Sequence, residues 1–592
     1  MIAGERWQGS KGGALLLHLS AMCLTFIRAT AWINTPNLVS PMKLQHQHQH
    51  QRRLLCQRQL GSCSRYNDGR SAVVAHRRST GKAVRMIATA SPESTTTTET
   101  TGAAGTKKNP PPSSTAIVGG GPAGLAVALM LARRGYRDIT VLERLSEPPP
   151  PASEQWGNPE RSYNLGLGGR GQVSLAKLGA AERVLSWCAE AAGRRDWSPQ
   201  SPEGMEQIYT TRKYKTKVIA RDRLTSCLLE EIRETYPDAI TVRFNVECVD
   251  VKWLECEAGG DGGDGGRGAT LMLKSGAEND EASTSELTAE FVVAADGVKS
   301  TIRDRLESDK ELTRALSGGA VRVKRFPRKN EFAYKVVPFK IGNGWRQVVS
   351  AEITLEALPT KEGMQVAVLL HRPGDPRVEG LTNAAEARAL FEASSTRKLF
   401  PPFADMITDE AYERLARQEA SRLPNFSYTG PILHLGKSAV LLGDAIKSVK
   451  PYFGLGANSA FEDCIMLERC LDETGDDMAA ALPLYSRRRA PEAKDLVELS
   501  RGFDRTGVAG FFGFVLPLIV DTIFHRAAPK VFKPNTIALL QKEHLTFRHV
   551  RLRKALDRVM QGAVLAAVGA AVFAVARMGV RALLPFVMSF IR

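Results

Sequence analysis

The chain has 592 residues, 43% hydrophobic and 24% charged, which is room for more than one domain around an ordinary globular core. Its net charge of +17 would suit a nucleic-acid partner, but thirteen Lys/Arg against two acids (Glu5, Asp68) fall in the first ninety residues, leaving only +6 for the rest. No zinc-finger or RNP spacing accompanies that charge, and the nine cysteines show neither a Cys-x-x-Cys pair nor metal spacing. Nucleic-acid binding, a metal site and a disulfide framework are therefore not expected.

Along the chain, "GALLLHLSAMCLTFI" after Arg6 and Lys11, followed by small residues at Ala29 and Ala31, predicts a signal-like segment over residues 1–31. Residues 32–90 are rich in Arg, Ser, Gln and His and nearly free of acids, a transit-peptide composition. The two together, with Trp32 after the first cleavage region, resemble the two-part presequence of complex plastids. A plastid location is expected, with a plain plastid or mitochondrial presequence as the alternative. "SPESTTTTETTGAAGTKKNPPPSS", residues 91–114, predicts a disordered linker.

Residues 115–505 mix strand-like and helix-like patterns, with "EAGGDGGDGGRGAT" as the expected tip of a hairpin between "VECVDVKWLE" and "LMLKS". Residues 506–592 change character. "GVAGFFGFVLPLIV" (507–520) and the run from Gly562 to Ile591 are strongly apolar, and "FRHVRLRKALDRVM" carries cations before the second. A basic flank followed by an apolar helix predicts membrane association, spanning or within one leaflet.

"TAIVGGGPAGLAVALMLARRGYRDITVLER" joins an apolar strand, Gly119-x-Gly121-x-x-Gly124, a helix ending near Gly135, and a second strand ending at Glu143 and Arg144. Gly119 serves the tight turn, Gly121 lets backbone approach a pyrophosphate, and Gly124 lets the helix sit on the sheet. Glu143 is placed for ribose hydroxyls and would repel a 2′-phosphate, so FAD or NAD is expected here rather than NADP. Two further strand ends carry acids. "FVVAADG" ends in Asp296-Gly297, and "VLLGDAIKSVKPYFGLGANSAFEDC" places Gly443-Asp444 after a buried strand. In the latter stretch Gly454, Gly456 and Asn458 open a helix start to close approach, and Phe461, Cys464, Ile465 and Leu467 form its apolar face.

One dinucleotide motif with two distant Gly/Asp strand ends resembles the FAD-dependent aromatic hydroxylases (class A flavoprotein monooxygenases). That resemblance implies that Asp444 meets the FAD ribitol and that Asp296-Gly297 lies near the FAD and the site of pyridine-nucleotide action. "ARDRLTSCLLEEI" is similar to the family's Arg-x-x-Leu helix, making Arg221 a flavin-contact candidate. Within the family, "ERSYNLGLGGRGQVSLAKLGAAERV" and "PYFGLGANSAFEDC" are similar to blocks of the kynurenine 3-monooxygenases, and the resemblance extends over residues 115–500. It implies that Ala457 and Asn458 lie along the flavin ring, with Gly454 and Gly456 clearing space.

The departures lie elsewhere. Lys447 stands where the family has the His of Gly-Asp-Ala-x-His, and Leu455 replaces the Gln of Gly-Gln-Gly. The family's Met-Tyr-Asn-Tyr falls on Arg501-Gly502-Phe503-Asp504, and its Gly-Arg-Met-Ile-His is missing. Tyr209 and Arg195 are the remaining weak candidates for substrate contact. A site without these polar partners should reject a zwitterion such as kynurenine.

The expected fold class is α/β. A Rossmann-like FAD-binding domain is interleaved with a mixed β-sheet substrate domain and followed by a C-terminal helical membrane-associated segment. The expected function is an FAD-dependent, NAD(P)H-using monooxygenase, acting with O2 through a flavin C4a-hydroperoxide on an aromatic or lipophilic small molecule. A plastid flavin-dependent reductase of the geranylgeranyl reductase type, or a non-catalytic membrane flavoprotein, are the alternatives.

Overall fold

The computed structural model describes residues 109–153, 163–198, 201–208, 213–254, 268–276, 283–327, 331–340, 345–349, 353–393, 400, 403–451, 454–502 and 510–591. The signal-like and transit-like segments, most of the linker, the glycine-rich hairpin tip, Tyr209, Phe503 and Asp504 lie outside the described residues.

The end of the expected linker is already tied to the body. Asn109 N–H donates to the Gly475 carbonyl at 3.0 Å, and Ser113 N–H to Glu290 Oε2 at 2.7 Å. Residues 109–114 are thus held to the body by a carboxylate and a helix-end carbonyl.

Two large sheets organise the body. The first has six strands in the order His434–Leu435, Ala439–Leu441, Phe291–Ala294, Thr115–Val118, Ile139–Leu142 and Ile240–Arg243. The first pair is antiparallel and the rest are parallel. Thr115–Val118, Phe291–Ala294 and Ala439–Leu441 are buried at every residue, as strands covered on both faces must be. The helix Pro122–Arg133 packs here, its close approach requiring Gly124, where a Cβ would lie 1.8 Å from the Gly119 carbonyl oxygen.

The second sheet has seven strands: Ser421–Arg422, Ala333–Phe339, Gln365–His371, Thr354–Pro359, Trp345–Val349, Gly193–Ser198 and Ser201–Ile208. Only the Trp345–Val349 and Gly193–Ser198 pair is parallel, so the sheet is mixed, and it has its own apolar core around Phe339, Phe391, Phe403 and Tyr412. The expected hairpin is present as Val246–Trp253 against Ala269–Ser275.

The helix Leu455–Thr474 buries Phe461, Cys464, Ile465, Leu467 and Cys470, and packs against the helix Met478–Arg501. The 45-residue helix Phe547–Ile591 has two characters. Its base buries Phe547, Val550, Lys554 and Asp557 against the body, whereas Val564, Leu565, Val568, Val572 and Phe573 are exposed. By length and composition Phe547–Met578 could cross a membrane, and little of its most apolar stretch is covered by the other described residues.

Candidate active site

Three parallel neighbouring strands end in the three motifs, so Gly119, Asp296-Gly297 and Gly443-Asp444 meet at one edge of the six-stranded sheet. This is the carboxyl edge, where open α/β sheets form ligand crevices.

At its centre Gly119 has φ +105°, and a Cβ there would lie 2.4 Å from the Ala295 carbonyl oxygen. Gly120, not singled out from the sequence, is equally constrained: its Cβ would fall 2.8 Å from Glu143 Cβ. The Gly120 N–H donates to Glu143 Oε2 at 2.9 Å, and Leu145 N–H donates to the other carboxylate oxygen at 2.9 Å. Glu143 is thereby fixed beside the glycine turn, while the neighbouring Arg144 is exposed. Gly121 faces open space except for the Arg221 guanidinium, 3.9 Å from where a Cβ would be.

Arg221 opens the helix Arg221–Thr235, its N–H donating to the Tyr163 carbonyl at 3.1 Å, and its guanidinium forms no ion pair among the described residues. Its charge acts on Asp444, Tyr163 and Tyr334. Asp444 is solvent-accessible, yet protein surrounds it closely enough that burial pushes its carboxyl up, against the pull of Lys447 and Arg221. Accessibility together with close surroundings is the property of a group lining a crevice. Tyr163 and Tyr334 are likewise half-buried, and burial pushes both phenols up. Neither tyrosine stood out in the sequence, although Tyr163 lies inside the Arg-Ser-x-Asn block.

Asp296 Oδ2 accepts from Ile302 N–H at 3.4 Å, and its buried Oδ1 has no hydrogen-bond partner among the described residues. Burial pushes this carboxyl up as well. Gly297 has φ +81° with nothing near a would-be Cβ.

Behind Asp444 lies a charge network that the sequence did not reveal. Lys447 is buried, 2.5 Å from Asp463 Oδ2, and the same oxygen accepts the Gly443 N–H at 2.8 Å. Arg489 binds the other Asp463 oxygen and donates to the Ser459 carbonyl at 2.8 Å. Lys447 therefore holds the loop from behind, and burial pushes its ammonium down.

Gly454 takes φ +61° at the start of the Leu455–Thr474 helix. Among the described residues nothing lies within 4 Å of a Cβ at Gly456. Ala460, one turn further on the same helix face, sits beside Gly443, so that open face is turned toward the crevice side. Ala457 is half-buried. Asn458 is buried and occupied by main chain: Oδ1 accepts from Gly168 and Gly171 N–H at 3.1 and 3.0 Å, and Nδ2 donates to the Gly166 carbonyl at 2.9 Å. Leu455 points away into an apolar cluster with Leu496, Leu539 and Phe547.

Arg195 is not brought to the crevice motifs by any described contact. It pairs across strands with Glu206, and its guanidinium lies 5.4 Å from the Trp197 ring centre. Among the described residues no cluster of His, Cys, Asp or Glu could hold a metal.

A bare glycine turn with an acid fixed beside it, a guanidinium without an ion pair among the described residues, an accessible acid and a helix start with room at Gly456 could hold an extended dinucleotide. The family model and the curated relatives agree. The family model described as an FAD binding domain matches residues 113–500. A kynurenine 3-monooxygenase of Salinispora arenicola (strain CNS-205) is 30% identical over 390 residues, 64% of this chain and 76% of that protein. That of Sus scrofa is 24% identical over 406 residues, 67% of this chain and 77% of its own length. A solved p-nitrophenol 4-monooxygenase, PnpA from Pseudomonas putida DLL-E4, is 17% identical with a TM-score of 0.49, covering 76% of this chain and 98% of that one. The chain belongs to the FAD-dependent aromatic hydroxylase family and is an FAD-dependent monooxygenase similar to kynurenine 3-monooxygenase.

Proposed function

We propose that this monooxygenase holds FAD along the crevice and acts, with NADPH or NADH as reductant, on an aromatic or lipophilic substrate other than kynurenine. The convergence of accessible Asp444, unpaired Arg221 and bare Gly121 at one sheet edge carries the reading. In it, Gly119, Gly121 and Gly124 admit the pyrophosphate, Glu143 with Arg144 takes the adenosine ribose, and Arg221 offsets phosphate charge. Asp444 holds the ribitol, and Gly454, Gly456, Ala457 and Asn458 border the ring. Asp296-Gly297 lies near the place of nicotinamide action. FAD, when bound, supplies the redox chemistry that activates O2 and transfers one of its oxygen atoms. The chain's own work is to orient the substrate and keep water from the reacting atoms.

The substrate half supports a less polar ligand. The Arg195 guanidinium is engaged by Glu206 and is not offered to a substrate carboxylate. The exposed apolar helix beyond Gly562, preceded by Arg548, Arg551 and Arg553, supports membrane association. With the presequence-like N-terminus, a plastid membrane is the proposed location.

The test is NADPH oxidation by the full chain in detergent, with and without kynurenine, trapping peroxide and following label from 18O2. Bound flavin with no response to kynurenine, and labelled oxygen in a membrane-soluble aromatic, is the expected result. Tightly coupled turnover of kynurenine would overturn the substrate assignment.

A further inference from the structure

We infer that Arg170 locks the segment leading into the C-terminal helix onto the wall of the crevice, making residues 536–550 part of the FAD site. The inference rests on the reading of that crevice as the FAD site.

Arg170 lies in the first turn of the helix Gly169–Lys177 and is 4% exposed. All three of its nitrogens are engaged: Nε donates to the Leu540 carbonyl at 2.8 Å, one terminal nitrogen to the Leu545 carbonyl at 2.6 Å, and the other to Glu462 Oε1 at 2.7 Å. Its guanidinium lies 4.5 Å from the Phe547 ring centre. One side chain thus joins a helix start, the Leu455–Thr474 helix and the chain entering the terminal helix. A buried arginine satisfied in this way cannot be released without leaving unpaired donors.

Independent contacts bind the same segment to the same wall. Leu455, between the two glycines of the helix start, packs with Leu539, Leu540, Phe547 and Val550. A Cβ on Gly168 would lie 3.3 Å from Gln541 Oε1. Phe547 N–H donates to Glu492 at 2.5 Å. On the crevice side Asn458 ties Gly166, Gly168 and Gly171 to the Leu455–Thr474 helix. The loop 166–171 and the turn 454–458 are therefore one wall, backed by residues 539–550. A cavity of about 160 Å³, lined by Arg170, Glu462, Glu492 and Leu545 among others, lies at the joint. The segment is accordingly held by discrete polar locks and one apolar cluster rather than by continuous packing.

If the wall and the segment move together, FAD binding and the order of the segment are reciprocally linked. Hydrogen exchange of the full chain in detergent, with and without FAD, reads this directly. Amides of residues 536–550 should exchange several-fold more slowly with FAD bound. Arg170→Met should lose that protection and weaken FAD binding by about tenfold, the order of one well-made charged contact. Arg170→Lys should restore part of it. Glu492→Ala, which removes the acceptor for the Phe547 and Arg548 N–H groups from outside the crevice, should weaken FAD in the same direction and stands in should Arg170→Met fail to fold; a folded Glu492→Ala with wild-type FAD affinity counts equally against the inference. Wild-type protein that binds FAD while residues 536–550 exchange indifferently, or a folded Arg170→Met that keeps wild-type affinity, overturns the inference. Wild-type protein that binds no FAD overturns the crevice reading and this inference with it.

Discussion

Lys447 Nζ lies 2.5 Å from Asp463 Oδ2, and that oxygen also accepts the Gly443 N–H, so one buried carboxylate anchors both ends of the loop bearing Asp444. Asp463→Asn would leave Lys447 and Arg489 buried without their shared anion and should destabilise the fold by roughly 3–5 kcal/mol. Lys447→Met leaves Asp463 paired with Arg489 and should cost clearly less. Urea midpoints of the two variants check the ranking; the reverse order would remove Asp463 from the centre of the network.

Two glycines of the candidate site should respond to alanine in opposite ways. At Gly124 the added carbon meets the Gly119 carbonyl oxygen at 1.8 Å, so Gly124→Ala should be severely destabilising with or without FAD. At Gly456 the carbon meets no atom of the described residues, so Gly456→Ala should leave the apo protein as stable, or up to about 1 kcal/mol more stable, because glycine is a poor helix former. Its FAD affinity should fall. Thermal melts paired with flavin titrations separate the cases, and unchanged FAD binding in Gly456→Ala would show that the space is not the cofactor's.

The contrast between these glycines marks what was legible in the sequence. Gly119, Gly124, Asp296 and Asp444 could be read because each sits at a fixed offset from an apolar strand, and strand ends are local features. That the three motifs serve one FAD was only implied by family resemblance, and that their strands lie side by side is visible only in the parallel pairing of the folded sheet. Tyr334, Gly120 and the Asp463 network escaped notice because their significance depends on what lies opposite them. Asp463 is one acid on a helix until Lys447 and Arg489 arrive from other elements. The role of Leu455 was visible only as a departure, since nothing local says that residues 539–550 fold back on it.

Asp444 should show an opposition between stability and binding. Burial raises its carboxyl, so in the folded apo protein the charged form is disfavoured and near pH 7 the residue is a net cost. Asp444→Asn should therefore raise apo stability while weakening FAD retention. The sign comes from linkage: a carboxyl with a raised folded pKa adds stability as pH falls through that value, and the variant should lack this gain. Melts from pH 7 to 4 with and without FAD test both halves. An apo Asp444→Asn less stable than wild type would place the carboxylate in a structural role.

His434 gives the fold a second pH dependence of opposite sense. Its Nδ1 lies 2.7 Å from Ser486 Oγ, in the edge strand beside Ala439–Leu441, and burial pushes the imidazole down to about 4 from an ordinary value of 6.5. The folded state keeps the ring neutral while the unfolded chain protonates it. Stability is thus fully present above about pH 6.5 and is lost as pH falls toward about 4, by roughly 3 kcal/mol in all. His434→Gln removes the titrating group, so the stability difference between wild type and variant should shrink over that interval and level off below it. The strand it holds pairs with the one ending in Gly443-Asp444, so acid loosening here should also release flavin. A difference that stays constant from pH 7 to 4 would mean that His434 titrates in the fold as it does in the unfolded chain, and that burial does not hold the ring neutral.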